Sequence, residues 1–238
     1  MELTLVHLYP DLMNIYGDRG NIAALAYRCR QRKINLKVKA VSVNDRLTPG
    51  SFDLLFAGGG QDRQQIVVSR DLKTKAKVIH QAADADIPML TICGSYQLFG
   101  EYFQPFSGPK LSGIGLFKAY TIASKKRKIG NILVQSRWGE LVGFENHSGN
   151  TWLKDKNQAL GQVIHGFGNN GHDQTEGAIY NHALGCYLHG SLLPKNPHLA
   201  DYLIRTALEI KYKKTIKLQP LNDEFEWQAH RTSAKIGR

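Results

Sequence analysis

A thiol at Cys93 and an imidazole at His189 are the side chains whose type and setting best suit nucleophilic chemistry in this chain. Cys93 stands in Ile87 to Gly100, IPMLTICGSYQLFG, where apolar residues run into the cysteine and Gly94 and Ser95 lead into a helix-like YQLFG. The pattern predicts a buried strand, a tight turn and a helix, with the thiol at the turn. A side chain there points out of the sheet, and N–H groups at the helix start favour a thiolate and a developing oxyanion. An inert core cysteine fits the same stretch, because free Cys is among the most buried residue types. His189 follows the apolar run Ala183 to Leu188 and precedes Gly190 and the turn LLPKNP, a second elbow. A base must reach a thiol through the fold and not along the chain, so a distant histidine at a strand end is what a Cys-His pair needs.

The elements that must position this pair read as an alternation of strand and helix. Leu3 to Leu8 and Leu36 to Val43 have strand patterns, and a helix from Asn21 to Arg32 places Ile22, Leu25, Ala26 and Cys29 on one apolar face. Leu54 to Ala57 reads as a central strand that ends on Gly58, Gly59 and Gly60, a turn tolerant of unusual φ or of close backbone approach. Two helical segments, Gln61 to Ser69 and Asp71 to Asp84, then precede the Pro88 to Ile92 strand that carries Cys93. Such an alternation predicts a parallel, doubly wound sheet, with the Gly58 and Cys93 strand ends side by side at the edge where open α/β sheets bind ligands.

After Gly100 the chain becomes strand-rich, with runs at Asn131 to Ser136, Leu141 to Asn146, Gly177 to Tyr180 and Ala183 to Leu188. Gly143 to Thr151, GFENHSGNT, and Gly166 to Gly171, GFGNNG, read as loops built on turn chemistry. His147 has no second histidine at ligand spacing, nor have His165, His172, His182 and His198, so no metal site is expected. A last helix is expected over Leu199 to Leu208. Beyond it, a basic tail over about 212–238 is expected to be solvated, and mobile past Pro220.

With 238 residues the chain can bury a large core, and one α/β domain over 1–238 is the expected organisation. No apolar run is long enough to span a membrane, and MELTLVHLY lacks the charge and cleavage pattern of a secretory signal, which predicts a cytoplasmic protein. Cys29, Cys93 and Cys186 lie far apart with no CxxC pair, which favours reduced thiols over disulfides or zinc. The formal charge of +11 suits a polyanionic partner or an anionic membrane face, but it is spread along the chain. Its densest run, Lys125 to Lys128, has no interleaved aromatic residues, so a solvated basic surface is expected and no nucleic-acid binding.

Glycines at 58–60, ICGSYQ and YLHG occur in the order seen in class I glutamine amidotransferases of the branch related to cobyric acid synthase, and the chain resembles that family along most of its length. Within the branch, YGDRGNIAAL, FAGGGQDRQ, TICGSYQLFG, GFENHSG and YLHGSLLPKNP together resemble the GatD-type glutaminase subunits of lipid II isoglutaminyl synthase. The resemblance implies the class I glutamine amidotransferase fold, a mostly parallel central sheet flanked by helices, with a strand-rich C-terminal half. It implies Cys93 as nucleophile and His189 as base in glutamine hydrolysis, backbone N–H groups of Gly59, Gly60 and Gly94 around the oxyanion, and Arg127 and Gln97 as substrate-binding residues. Arg127, inside a basic run, also fits a plain solvated charge. Family members with a full triad carry Glu two positions after the histidine; here that position is Ser191, so a Cys-His dyad is implied. Asp18 matches a family aspartate near the site, and an N-cap for the first helix fits it equally. No cofactor is expected in this chain, which has no GxxxxGK[ST] motif. The family implies a heterodimer with a Mur-ligase-like synthetase subunit that binds ATP and Mg, reaches lipid II, and receives the ammonia. Alternatives at this stage are another acceptor such as a corrin carboxylate, a stand-alone γ-glutamyl cysteine hydrolase, and a binding module without turnover.

Overall fold

The computed structural model describes residues 1–15 and 18–236. In chain order its elements are β1 (Glu2–Leu8), α1 (Arg19–Gln31), β2 (Asn35–Val41), β3 (Leu54–Ala57), α2 (Asp62–Asp84), β4 (Met89–Ile92), α3 (Gly94–Phe99), β5 (Tyr102–Gln104) and β6 (Leu111–Ser112). They continue with β7 (Ala119–Ser136), β8 (Gly139–Leu153), β9 (Gly161–His165), β10 (Thr175–Glu176), β11 (Ala178–Tyr180), β12 (Ala183–Cys186), α4 (Pro197–Tyr212) and α5 (Glu224–Ile236).

Two sheets share these strands. The first has the order β11-β12-β4-β3-β1-β2, parallel except for the antiparallel β11 edge. Its central strands β3, β4 and β12 are buried at every position, which is why they read as short unbroken apolar runs and not as alternating ones. The edge strand β2 is mostly exposed, and its Lys37 and Lys39 discourage further strand pairing. Because β3, β4 and β12 are parallel neighbours, their carboxyl ends lie side by side, bringing Gly58 to Gly60, Cys93 and the approach to His189 to one edge of the sheet.

The second sheet is built on the long antiparallel hairpin of β7 and β8, with β9 and β5 paired to β7, β10 to β9 and β6 to β5. An isolated bridge ties it to the segment after β12: Phe144 and His189 exchange both backbone hydrogen bonds, His189 N to Phe144 O at 2.9 Å and Phe144 N to His189 O at 3.2 Å. That bridge fixes the backbone of the histidine against β8.

Three expectations need correction. The two helices expected across Gln61 to Asp84 are one, α2, since nothing at Arg70 or Asp71 breaks the helix and buried positions recur through it. Gly143 to Thr151 is no loop but the second half of β8; Glu145, His147, Gly149 and Thr151 alternate into the interior with a polar version of strand periodicity. The tail expected to be solvated carries α5, whose Ala234 packs on Leu133 and Val142. His230 donates from its ring to Lys195 O at 2.8 Å and stacks edge-on against Trp227. Arg28 holds Asp223 ahead of this helix through paired hydrogen bonds of 2.6 and 2.9 Å, and it holds Asp201 as well.

Candidate active site

Cys93 follows β4 with φ 49° and ψ −106°, a conformation that an L residue adopts only under strain worth about 1–3 kcal/mol. Its amide donates to Cys186 O at 2.8 Å, so the neighbouring strand braces the turn. The thiol residue is 7% exposed and opens on a cavity of about 400 Å³, whose wall includes Gly60, Gln65, Gln97, Arg127 and His147. The elbow expected at Cys93 is therefore present, with its helix α3 buried throughout, while the strand expected to run to Leu188 ends at Cys186, three residues before His189.

His189 is fully buried, and its Nδ1 lies 3.4 Å from Asp18 Oδ1. The Cys93 sulfur also acts on the imidazole electrostatically. Burial works against a charged imidazole here, but the neighbouring Cys93 sulfur and the Asp18 carboxylate outweigh it and push the pKa of His189 up to about 10. Asp18 is itself buried, and its carboxylate makes no cap bond to α1. The N-cap reading thus gives way: Asn14 Oδ1 accepts from the Arg19 amide at 3.0 Å, leaving the Asp18 carboxylate to face the histidine. Ser191, at the position of the triad glutamate, packs instead against Gly20 beside the start of α1.

The second oxygen of Asp18 accepts from the Gly59 amide at 2.6 Å. This corrects one expected oxyanion donor, because the Gly59 N–H is already committed to a carboxylate. Among the described residues, the Gly60 and Gly94 amides donate to no other backbone group. These two residues touch: a side chain at Gly94 would start 3.0 Å from Gly60 N. The glycine turn is there for close approach, not for unusual φ. A Cβ on Gly58 would meet Met13 O at 2.5 Å, and one on Gly59 would meet His189 Cε1 at 2.9 Å. Ser95 ties the elbow to the same turn, its hydroxyl donating to Gly58 O at 2.6 Å.

Arg127 stands at the irregular register between Ala123 and Lys128 where β7 loosens from β8. Its guanidinium lies in the cavity wall, held by Asn146: Nη2 donates to Oδ1 at 2.6 Å and to the backbone O at 3.1 Å, and Nε donates to Oδ1 at 3.1 Å. A planar fork oriented this way suits a carboxylate. Gln97 lines the same cavity, with its Nε2 donating to Tyr187 Oη at 3.1 Å.

Sequence reasoning passed over several residues at the site. Tyr187 stacks flat on His147 with ring centroids 3.6 Å apart, and Glu145 accepts from the Phe167 and Gly168 amides at 2.7 and 3.0 Å, tying the GFGNNG turn to β8. His147 lies 3.5 Å from Glu145, and burial lowers its pKa. The period-two polar residues of β8 were the available signal for Glu145 and His147. Among the described residues, no group of three or more His, Cys, Asp or Glu side chains is arranged to hold a metal ion.

Residues 4–197 match the CobB/CobQ-like glutamine amidotransferase domain. The chain is 38% identical over 231 residues to the lipid II isoglutaminyl synthase (glutamine-hydrolyzing) subunit GatD of Staphylococcus aureus, covering 96% of this chain and 93% of that one. It is 39% identical over 225 residues to the subunit of the same name from Streptococcus pneumoniae, covering 93% and 86%. A probable cobyric acid synthase from Methanothermobacter thermautotrophicus is 32% identical over 120 residues, covering 44% of this chain and 24% of that one. Among solved structures, PurLQS from Thermotoga maritima superposes with a TM-score of 0.61 at 16% identity, covering 90% of this chain and all of that one. A crystal structure of a glutamine amidotransferase gives 0.58 at 12% identity, covering 85% and 98%. The sheet order, the elbow at Cys93 and the match across most of its length agree, and the chain belongs to the CobB/CobQ-like glutamine amidotransferase family, with the class I glutamine amidotransferase fold.

Proposed function

We propose that this chain is the glutamine-hydrolysing subunit of a lipid II isoglutaminyl synthase, releasing ammonia from L-glutamine through Cys93 and His189. The observation that carries the reading is the line Cys93–His189–Asp18 at the carboxyl edge of the sheet, opening on a cavity whose wall holds Arg127. The near full-length similarity to two GatD subunits supports the acceptor assignment over a corrin, for which the match covers a small part of the relatives.

Arg127 takes the α-carboxylate of glutamine, with Asn146 holding the fork, and Gln97 meets the substrate from the elbow helix. With Nδ1–H given to Asp18, Nε2 is left to exchange a proton with the thiol. The Cys93 sulfur attacks the side-chain carboxamide carbon, and the electron pair of the carbonyl moves to oxygen, which the Gly60 and Gly94 amides stabilise. The intermediate collapses to a γ-glutamyl thioester as His189 gives its proton to the departing nitrogen, so ammonia leaves neutral. Water then attacks the thioester while His189 takes its proton, glutamate leaves, and the thiolate and imidazolium are restored. Asp18 keeps the imidazole in one tautomer and stabilises its charge in both halves.

The ammonia passes to a Mur-ligase-like partner carrying ATP and Mg, which activates the D-glutamate carboxylate of the lipid II stem peptide and amidates it. No described helix is long and apolar enough to cross a membrane, and the reading places the chain in the cytoplasm with lipid II reached through the partner. Ammonia release from glutamine by the assembled complex tests the chemistry: Cys93→Ala and His189→Ala should each abolish it, and retention of release in either variant removes the assignment. Mass analysis of the amidated product tests the acceptor.

A further inference from the structure

Gln65 lies on α2, 1% exposed, at the edge of the Cys93 cavity, and its side chain makes two bonds that packing alone does not require. Its Nε2 donates to Gly94 O at 3.1 Å and to Gln97 Oε1 at 2.8 Å. A backbone carbonyl only accepts, so the Gly94 contact decides which end of the Gln65 amide faces the elbow. Gln97 must then present its oxygen to Gln65, and its nitrogen donates to Tyr187 Oη. The tyrosine oxygen shares a further hydrogen bond of 2.7 Å with Thr151 Oγ1, in which either hydroxyl can donate. The polarity is therefore fixed from Gln65 through Gln97 to Tyr187, across three separate stretches of the chain.

We infer that Gln65 is a positioning residue for substrate recognition: by fixing the polarity of the Gln97 carboxamide, it sets which hydrogen-bonding end Gln97 offers a primary carboxamide in the cavity. The inference rests on the glutaminase reading and adds a determinant of glutamine affinity to it. An unheld amide turns about its terminal torsion at little cost, exchanging donor for acceptor. A site that holds its amide in one sense favours a ligand with the complementary pattern, because the wrong pattern leaves a buried polar group unpaired.

Two near-isosteric substitutions separate positioning from plain packing. Gln65→Met removes both donors and leaves Gln97 anchored only at Tyr187. An ionised Gln65→Glu offers acceptors alone and turns the Gln97 nitrogen towards residue 65, reversing the Gln97 amide. With the full-length chain in the complex it forms, glutamine-dependent ammonia release should show KM raised about tenfold or more in Gln65→Glu and less in Gln65→Met, with kcat changed only a few-fold. Iodoacetamide should label Cys93 at a rate within about twofold of wild type in both variants, which a collapsed elbow would not allow. Wild-type KM in both variants, or parallel losses of kcat, labelling rate and melting temperature, would overturn the inference. A wild-type complex that releases no ammonia from glutamine would overturn the glutaminase reading itself, a separate result read in the control.

Discussion

Asp18 and His189 meet across 171 residues of chain, carboxylate oxygen to ring nitrogen at 3.4 Å, with both side chains buried. The same carboxylate binds the Gly59 amide at 2.6 Å, so one side chain orients the base and pins the glycine turn that packs on it. The carboxylate beside His189 comes from the start of α1, while Ser191, two positions after the histidine, packs on Gly20.

Asp18→Asn keeps the shape and removes the charge. An asparagine can also present its NH2 to the ring and so favour the wrong tautomer. We expect kcat for ammonia release to fall by about a hundredfold or more with a modest change in KM. The pH profile should move as well. On the proposed mechanism His189 is the acid for the leaving ammonia, and with its pKa raised to about 10 the wild-type rate should hold through neutral pH and fall as pH passes that value. Removing the Asp18 charge, or the sulfur in Cys93→Ala, lowers the pKa, which NMR titration of the imidazole reads directly. The linkage has a sign: a raised histidine pKa contributes stability that is fully present below the ordinary value of 6.5 and is lost as pH rises through about 10. An unmoved alkaline limb and imidazole titration in Asp18→Asn would remove Asp18 from this role.

Gly59→Ala tests the close approach. The new methyl would stand 2.9 Å from His189 Cε1 and 3.0 Å from Ile15 Cγ1, so the ring or the turn must shift. Overpacking of this kind costs about 1–3 kcal/mol of stability. Because the first atom displaced belongs to the base, kcat should fall about a hundredfold, a larger share of function than of stability. Gly50→Ala is the control: a Cβ there has open space, although its φ of +69° carries the ordinary left-handed strain, so it should lower the melting temperature without touching kcat.

Much of this architecture is legible in the sequence, and the exceptions have physical causes. β3, β4 and β12 are short apolar runs, the first two ending directly before Gly58 and Cys93 and the third three residues before His189, and their burial on both faces makes that pattern unambiguous. Asp18 has no such signature, since an aspartate ahead of a helix fits a cap until its carboxylate is seen to point elsewhere. The inner face of β8 carries Glu145, His147 and Thr151, so its alternation is of buried and exposed polar groups and hydropathy misses it. In α5, Trp227, His230 and Ala234 mark one face at helical spacing, but the basic residues around them suggest a solvated tail. Gln65 is invisible in sequence for another reason: its task depends on an acceptor in a different element.

Arg127→Lys should raise KM for glutamine about tenfold or more while leaving kcat within a few-fold. Lysine keeps the charge but cannot hold Asn146 through several donors and also present a planar pair to a carboxylate. Asn146→Ala should act in the same direction with a smaller effect, because it removes the two bonds to Oδ1 and keeps the backbone carbonyl that also accepts from the guanidinium. Steady-state ammonia release across glutamine concentrations checks both, and a fall in kcat at constant KM would place Arg127 outside substrate binding.

Glu176 supplies a prediction about stability instead of rate. It is fully buried beside the site, its Oε1 accepts from the Tyr187 amide at 2.6 Å, and its Oε2 has no hydrogen-bond partner among the described residues. Burial is the main cause that raises its pKa, to about 8, against the lowering pull of the Tyr187 amide. The folded chain therefore holds a proton on Glu176 that the unfolded chain releases above about 4.5. Between those two values the native state binds more protons, so this residue makes the fold progressively less stable as pH rises from about 4.5 to about 8, and the loss then levels off. Glu176→Gln keeps an acceptor for the Tyr187 amide and cannot ionise. Its melting temperature should match wild type near pH 5 and exceed it by several degrees at pH 8.5, because an ionised buried carboxylate with an unpaired oxygen is the costlier partner for that amide. Parallel melting curves across that range would mean that Glu176 is ionised in the native state throughout.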